Sequence, residues 1–361
     1  MSKAKININF QHSVSLSELT TIKLGGEAKL FCNCKTTDEI IACLIYAKTE
    51  NLPVQVIGGG SNIIFSDDGF NGIVIKIYIK GIKFNELEKN LIEITSGAGE
   101  AWDDFVKLCI DNNLNGVECL SGIPGCVGAT PIQNVGAYGQ EVSNTIVSVE
   151  AIDRLTLKTV EFTNEECNFG YRQSRFKNKD KDKYIITKVT YSMKKFAEPK
   201  IKYPELKKYL DDNTKLNALK NGKEKLSAIR DIVIDIRKSK SMIIDSNDPN
   251  TVSCGSFFLN PVLTEEEFKE LEKTCIKSNL NVPAYKTDKG IKISAAWLLE
   301  NAGFHKGYKK GGVGISTNHS LALINCGGSA KELLELSDKI ENEVYYKLGV
   351  KLSNEPEIVK E

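Results

Sequence analysis

Between Gly116 and Gly139 the chain reads GVECLSGIPGCVGATPIQNVGAYG. Glycines at that density, with Pro124 and Pro131 among them, defeat both helix and central strand. A loop this long is usually functional. Backbone without Cβ atoms can lie against a flat ligand and aim N–H groups at it. A self-packed Ω-loop is the other reading. A smaller cluster, Gly58-Gly59-Gly60-Ser61-Asn62, falls between the apolar runs Val54 to Ile57 and Ile63 to Phe65. It suits a phosphate, and a tight turn between two strands would use the same residues. It is neither a G-x-G-x-x-G opening a helix nor a Walker A loop.

The scaffold around these segments reads as mixed helix and strand. Thr36 and Glu39 make a capping box, and Ile40, Ile41, Leu44 and Ile45 give a helical stripe that Asn51 and Pro53 end. With strands at 54–57, 63–65 and 73–77, residues 20–78 read as a small α/β unit. Leu91 to Thr95 reads as a strand that Gly97-Ala98-Gly99 breaks. Trp102, Phe105, Val106 and Cys109 share one helix face. Strands follow at 146–152 and 184–193, with a solvated charged loop, Lys177 to Lys183, between them. The texture changes after Pro199, where residues 200–225 are rich in Lys and Asn with little period. Leu226, Ile229, Val233 and Ile236 then mark a helix. Thr264 and Glu267 cap another, and Ser329 and Glu332 cap a long one ending at Gly349. These breaks divide the chain into 1–78, 79–195 and 196–361.

Composition removes several classes. Hydrophobic content of 41% and charged content of 26% suit a globular protein. A net charge of +1 argues against nucleic-acid binding by counterion release. No run reaches the length of apolar residues a bilayer requires, so no membrane association is expected. Residues 1–15 carry no signal-peptide core or cleavage site, and the expected location is cytoplasmic. The ten cysteines include no CxxC pair, and there are three histidines. The expectation is therefore no metal, with most thiols packed as small apolar groups in a reducing compartment.

Five segments, in order, carry a resemblance. IGGGSN at 57–62 and GIPGCVGATPIQNVGAYG at 122–139 are followed by YRQSRFK at 171–177, GSFFLNP at 255–261 and KLSNEPE at 351–357. Together they resemble the UDP-N-acetylenolpyruvoylglucosamine reductases, and the likeness runs from about Leu19 to Val359. The resemblance implies an α+β protein. Two α/β subdomains would form a vanillyl-alcohol-oxidase/PCMH-type FAD-binding fold, followed by a C-terminal α+β substrate-binding domain. It implies FAD held by Gly58, Gly59, Gly60, Ser61, Asn62, Ser121, Gly122, Ile123, Pro124, Gly125, Gly128, Asn134, Gly136 and Ala137. NADPH would be the co-substrate, and UDP-N-acetylglucosamine enolpyruvate would be reduced to UDP-N-acetylmuramate.

In that implied mechanism the flavin carries hydride from NADPH to the enolpyruvyl group. Arg172 and Glu355 orient the group and stabilise an enolate, and Ser256 delivers the proton. Glu357 competes with Glu355, because Glu355-Pro356-Glu357 permits a shifted register. Tyr203, Lys240 and Asn260 would touch the substrate. The chain departs from many relatives at Ser241 to Asp245, where they have Leu-Pro-x-Pro, and in a longer spacer from Lys240 to Ser256. The implied protein is a monomer. The competing function is an FAD-dependent oxidase of an alcohol or sugar on the same fold; a non-catalytic nucleotide-sugar binder is a further one.

Overall fold

The computed structural model describes residues 8–201, 203–211, 219–277 and 280–360. The chain forms two compact units. The first comprises Met1–Val14, Ala28–Gly59 and Asn71–Lys238, and the second Ser15–Glu27, Gly60–Phe70 and Ser239–Glu361.

Two sheets organise the first unit. Strands Gln11–Ser15, Glu27–Cys34, Phe70–Ile77 and Val54–Ile57 lie side by side in that order, the last two parallel. Helix α1 (Thr37–Thr49) starts on the expected capping box of Thr36 and Glu39. Asn51, at φ +51°, turns the chain out of it. The second sheet holds Thr159–Thr163, Ile146–Asp153, Tyr184–Lys195, Leu91–Gly97 and Ile82–Glu88, each antiparallel to its neighbour. Helix α2 (Trp102–Asp111) buries Trp102, Phe105, Val106, Cys109 and Ile110. Trp102 and Phe105 stack near Tyr191 of the long strand. Each such side chain taken from water contributes roughly 1.5–3 kcal/mol.

The boundary expected at residue 196 differs from the point where the chain changes unit, between Lys238 and Ser239. Helix α3 (Pro204–Asp211) and helix α4 (Lys223–Ser239) bury their stripe in the first unit. Leu226 joins the core of Trp102, while Leu206, Ile229, Val233 and Ile236 pack with Cys119. Ion pairs Arg230–Asp103 and Lys223–Asp111 fix α4 further. Part of the lysine-rich stretch, 212–218, lies outside the described residues, as do residues 1–7 of the segment read for a signal peptide.

The second unit packs helices on small sheets. Strands Ser253–Ser256, Ala322–Asn325, Val313–Ile315 and Lys309–Lys310 form one sheet, and Val262–Leu263, Gly290–Ile293 and Ala284–Thr287 another. Helix α5 (Glu265–Lys277) begins on Thr264 and Glu267, as the sequence predicts. Helix α6 (Ala295–Ala302) packs on α7 (Ala330–Leu348), which buries Leu333, Leu336, Ile340, Val344 and Leu348. Gly349 closes α7 in the left-handed conformation, φ +70°. Ile63–Phe65 does not join the sheet of its sequence neighbours. It pairs in parallel with Glu357–Val359, at the far end of the chain.

Candidate active site

In the first unit the glycine segment is fixed by its own backbone. Val127 and Gly128 donate to the carbonyls of Glu100 and Ala98, and Trp102 N–H donates to Gly125. This brings 125–128 alongside the glycine break after strand Leu91–Gly97. Contact is so close that a Cβ on Gly128 would lie 2.5 Å from that of Ala98. The Gly58–Gly59 turn presses on the same segment. A Cβ on Gly58 would collide with Cys126 Sγ, and one on Gly59 would lie 2.6 Å from Gly125 Cα. Gly122 and Gly125 adopt φ +71° and +122°, open to glycine at little cost. Gly122 to Gly125 are half-buried and Gly59 is exposed. A surface of glycine backbone is thus available to a ligand, as a dinucleotide with a flat ring requires.

Side chains hold that surface from behind. Asp103 on α2 accepts from Gly122 N–H at 2.5 Å and from both Arg230 nitrogens at 2.6 Å. Burial acts to raise the Asp103 carboxyl, but the bonds from Arg230 and Gly122 outweigh it, and the net direction is down. Ser121 is buried, and both its hydroxyl and its N–H donate to the Glu118 carbonyl. The Glu118 carboxylate takes Gly116 N–H and Gln140 Nε2. Asn134, at φ +45° and buried, donates to Glu141 and to the Gly170 carbonyl and accepts from Ser143 N–H. Gly136–Ala137 pairs with Gln140–Glu141, and Tyr138 and Gly139 turn between them at φ +48° and +85°. Two successive positive φ values are the mark of a type I′ hairpin. The loop read from sequence is therefore built of short 3₁₀ turns and this hairpin.

Arg172 reaches the same segment. Gly170 and Gln173 exchange backbone hydrogen bonds, so Tyr171 and Arg172 form the turn, with Arg172 at φ +53°. Its Nη2 donates to the Gly136 carbonyl at 2.6 Å, and its guanidinium lies 5.4 Å from the centre of the Tyr171 ring. Gly136 is small where Arg172 passes: a Cβ there would be 3.2 Å from Nη1. The neighbouring Arg175 is a structural residue. It lies 4.1 Å from the Phe162 ring centre and pairs with Asp180, so the charged loop 177–183 is anchored at that point. Tyr203 packs edge-on against Tyr138 at 5.3 Å.

Ser256 and Glu355 belong to the second unit. Ser253–Ser256 pairs antiparallel with Ala322–Asn325, and an irregularity between Ser253 and Ser256 leaves Gly255 at φ +74°. A bulge of this kind re-aims the residue after it. Phe257 and Phe258, both buried, anchor the far side of Ser256. The tail runs beside them: Leu259 N–H donates to Ser353, and Glu355 N–H donates to Phe257 at 2.8 Å. Asn62 clamps the tail from the other side. Its Nδ2 donates to the Glu355 carbonyl, and its own carbonyl accepts from Glu357 N–H. Glu355 is thus fixed one residue along from Ser256, while Glu357 opens the strand with Ile63–Phe65. Asn260 presents its side-chain oxygen to Ala295 N–H at the start of α6. Lys240 is half-buried in the turn after α4. Next to it Ser241, at φ +53°, donates to Asp248 and accepts from Asn318.

Residues 28–156 match the model of the FAD binding domain family, and 248–359 match UDP-N-acetylenolpyruvoylglucosamine reductase, C-terminal domain. The enzyme of that name from Thermobifida fusca is 41% identical, over 97% of this chain and 98% of its own. The chain belongs to the UDP-N-acetylenolpyruvoylglucosamine reductase family. A Streptomyces coelicolor member is 40% identical, over 96% of this chain and 89% of its own. The crystal structure of the reductase from Thermus caldophilus shares the fold at a TM-score of 0.66 and 23% identity, covering 98% of this chain and all of that one. The cofactor of the family's FAD domain fits the glycine surface described above.

Two features escaped the sequence reading. The Asp103–Arg230 clamp joins residues far apart in the chain, and only the Asp-rich first turn of α2 hinted at it. The other is a group of three thiols, Cys32, Cys34 and Cys43, where the spacing had suggested no metal site. Cys32-x-Cys34 on a strand puts both on one face, which was the available signal.

Proposed function

We infer that this chain is the NADPH-dependent flavoenzyme that reduces UDP-N-acetylglucosamine enolpyruvate to UDP-N-acetylmuramate in peptidoglycan precursor synthesis. The observation that carries this is identity of 41% along almost the whole chain of a curated reductase. When bound, FAD supplies the two-electron exchange between NADPH and the enolpyruvyl double bond.

The chain's own groups take the remaining roles. Gly58, Gly59, Ile123, Pro124, Gly125 and Ala137 offer backbone to the cofactor, and Gly122, Gly128 and Gly136, whose own backbone groups bond Asp103, Ala98 and Arg172, shape the turns around it. Gly60, Ser61 and Asn62 extend the first of these turns. Arg172, held by the Gly136 carbonyl, pairs with the substrate carboxylate as negative charge builds next to it. Ser256 delivers a proton to the carbon bearing that carboxylate, and Glu355 orients the group. The backbone bond from Glu355 to Phe257, the residue after Ser256, supports Glu355 over Glu357 in that role. Tyr203 and Lys240 contribute to the sugar nucleotide. Asn260, whose side-chain oxygen accepts from Ala295 N–H, contributes with them. No described helix is long and apolar enough to cross a membrane. We place the enzyme in the cytoplasm as a monomer that does not bind nucleic acid.

The test is anaerobic and spectroscopic. The purified yellow protein should bleach with NADPH and regain its flavin absorbance when the enolpyruvyl sugar nucleotide is added. Recovery with oxygen alone, and none with the sugar nucleotide, would replace the reductase with an oxidase.

A further inference from the structure

Cys32, Cys34 and Cys43 meet inside the first unit, among groups the reductase chemistry does not use. Strand Glu27–Cys34 buries Ala28, Leu30, Cys32 and Cys34 on its inner face. Helix α1 turns Ile40, Cys43, Leu44 and Ala47 toward the core. The three thiols are therefore delivered by two rigid elements, and their relative exposures are 5%, 0% and 0%. Cys34 Sγ lies 3.8 Å from Cys32 Sγ and 3.7 Å from Cys43 Sγ, and all three sulfurs fall within 4.8 Å of one another. These are not disulfide distances, since an S–S bond is about 2.05 Å.

We propose that Cys32, Cys34 and Cys43 form a buried sulfur-only site for one soft d10 cation, Cu(I). Thiolate ligands select soft metals over magnesium, calcium or manganese. With a metal–sulfur bond of about 2.3 Å, three sulfurs spaced evenly round an ion stand roughly 4.0 Å apart. The observed pairs at 3.7 and 3.8 Å are within tenths of an ångström of that. Structural zinc takes four ligands, and among the described residues no fourth Cys, His or carboxylate joins this group. Cu(I) is satisfied by two or three sulfurs. Each sulfur that binds as thiolate releases its proton to solvent. Leaving one of the three protonated limits the buried charge to a single negative unit, which matters in an apolar setting.

The test uses the full-length, flavin-loaded protein in a Cys326→Ser background, because Cys326 is the exposed cysteine. Anaerobic Cu(I), buffered with a chromophoric chelator, should be taken up at one equivalent. Cys32→Ala and Cys43→Ala should each lower the affinity by at least about a hundredfold while far-UV circular dichroism stays native. X-ray absorption on the metal-loaded parent supplies a readout that needs no core variant. It should give two or three sulfur neighbours at about 2.3 Å and no nitrogen or oxygen. No uptake by the parent, uptake unchanged in Cys43→Ala, or nitrogen or oxygen neighbours would each overturn the proposal.

Discussion

Removing the Asp103 carboxylate should both destabilise the first unit and loosen its flavin. Asp103 accepts two bonds from Arg230 and one from the Gly122 amide. Exposed ion pairs contribute about 0.2–1 kcal/mol, and breaking a buried one costs roughly 3–5 kcal/mol. This pair lies between, with side chains 37% and 17% exposed. Solvent screening of Asp103 therefore discounts the upper figure, and Asp103→Ala should cost about 2 kcal/mol. For a unit of this size that lowers the melting temperature by about 4–8 °C. Arg230→Ala should cost less, since it leaves the Gly122 bond in place. A double-mutant cycle by thermal melting should return a coupling of about 1 kcal/mol between the two. Freed from Asp103, Gly122 is less well placed, so FAD should dissociate about tenfold more readily, equivalent to about 1.4 kcal/mol.

The pH dependence has a definite sign. The folded-state Asp103 carboxyl titrates below its unfolded value. Its contribution is therefore present in full above about pH 4 and fades as the pH falls through the folded-state value. The melting deficit of Asp103→Ala should shrink in acid. A coupling under about 0.3 kcal/mol, with flavin content unchanged, would refute the clamp.

Ser256→Ala should still bleach with NADPH, while its reoxidation by the sugar nucleotide slows by about 10²–10⁴-fold, the usual range for a lost proton donor; unchanged turnover would remove Ser256 from the chemistry. Glu355→Gln should lower kcat by at least about tenfold and Glu357→Gln by less than about threefold. The opposite order in steady-state assays would shift the tail register. Gly58→Ala should purify with little flavin, because its Cβ meets Cys126 Sγ, and Gly58→Ala/Cys126→Ala should regain much of the yellow colour. Equal flavin loss in single and double variants would show that the collision is not the cause.

Local signals were legible in the sequence. Capping boxes at Thr36, Thr264 and Ser329, and the glycine stop at Gly349, lie where the spacing puts them. Each depends on residues within one helical turn. The boundary at 196 rests on a change in composition, and composition does not determine which core a helix joins. Leu226, Ile229, Val233 and Ile236 make a legible stripe, but their partners Trp102 and Cys119 lie far earlier in the chain. The same limit applies to Ile63–Phe65. Nothing near it in sequence names Glu357–Val359 as its partner. The thiol cluster needed the fold for a similar reason, since Cys43 approaches the strand only when α1 packs on it.

The site residues divide along the same line. Ser256 and Glu355 carry no periodic signature and entered the reading through the family's motifs alone. The structure supplies a physical reason for their spacing. Gly255 at φ +74° makes the irregular turn, and Phe257 and Phe258 fill the core beyond it. The G-S-F-F order is thus one turn and two anchors around a single hydroxyl. The tail follows a parallel logic. Phe257 supplies the carbonyl that receives Glu355 N–H, and Asn62 supplies both the donor and the acceptor that bracket Pro356. Asn62, a cofactor residue in the sequence reading, therefore also holds the tail backbone at Glu355 and Glu357. A substitution there would disturb Glu355 without touching it.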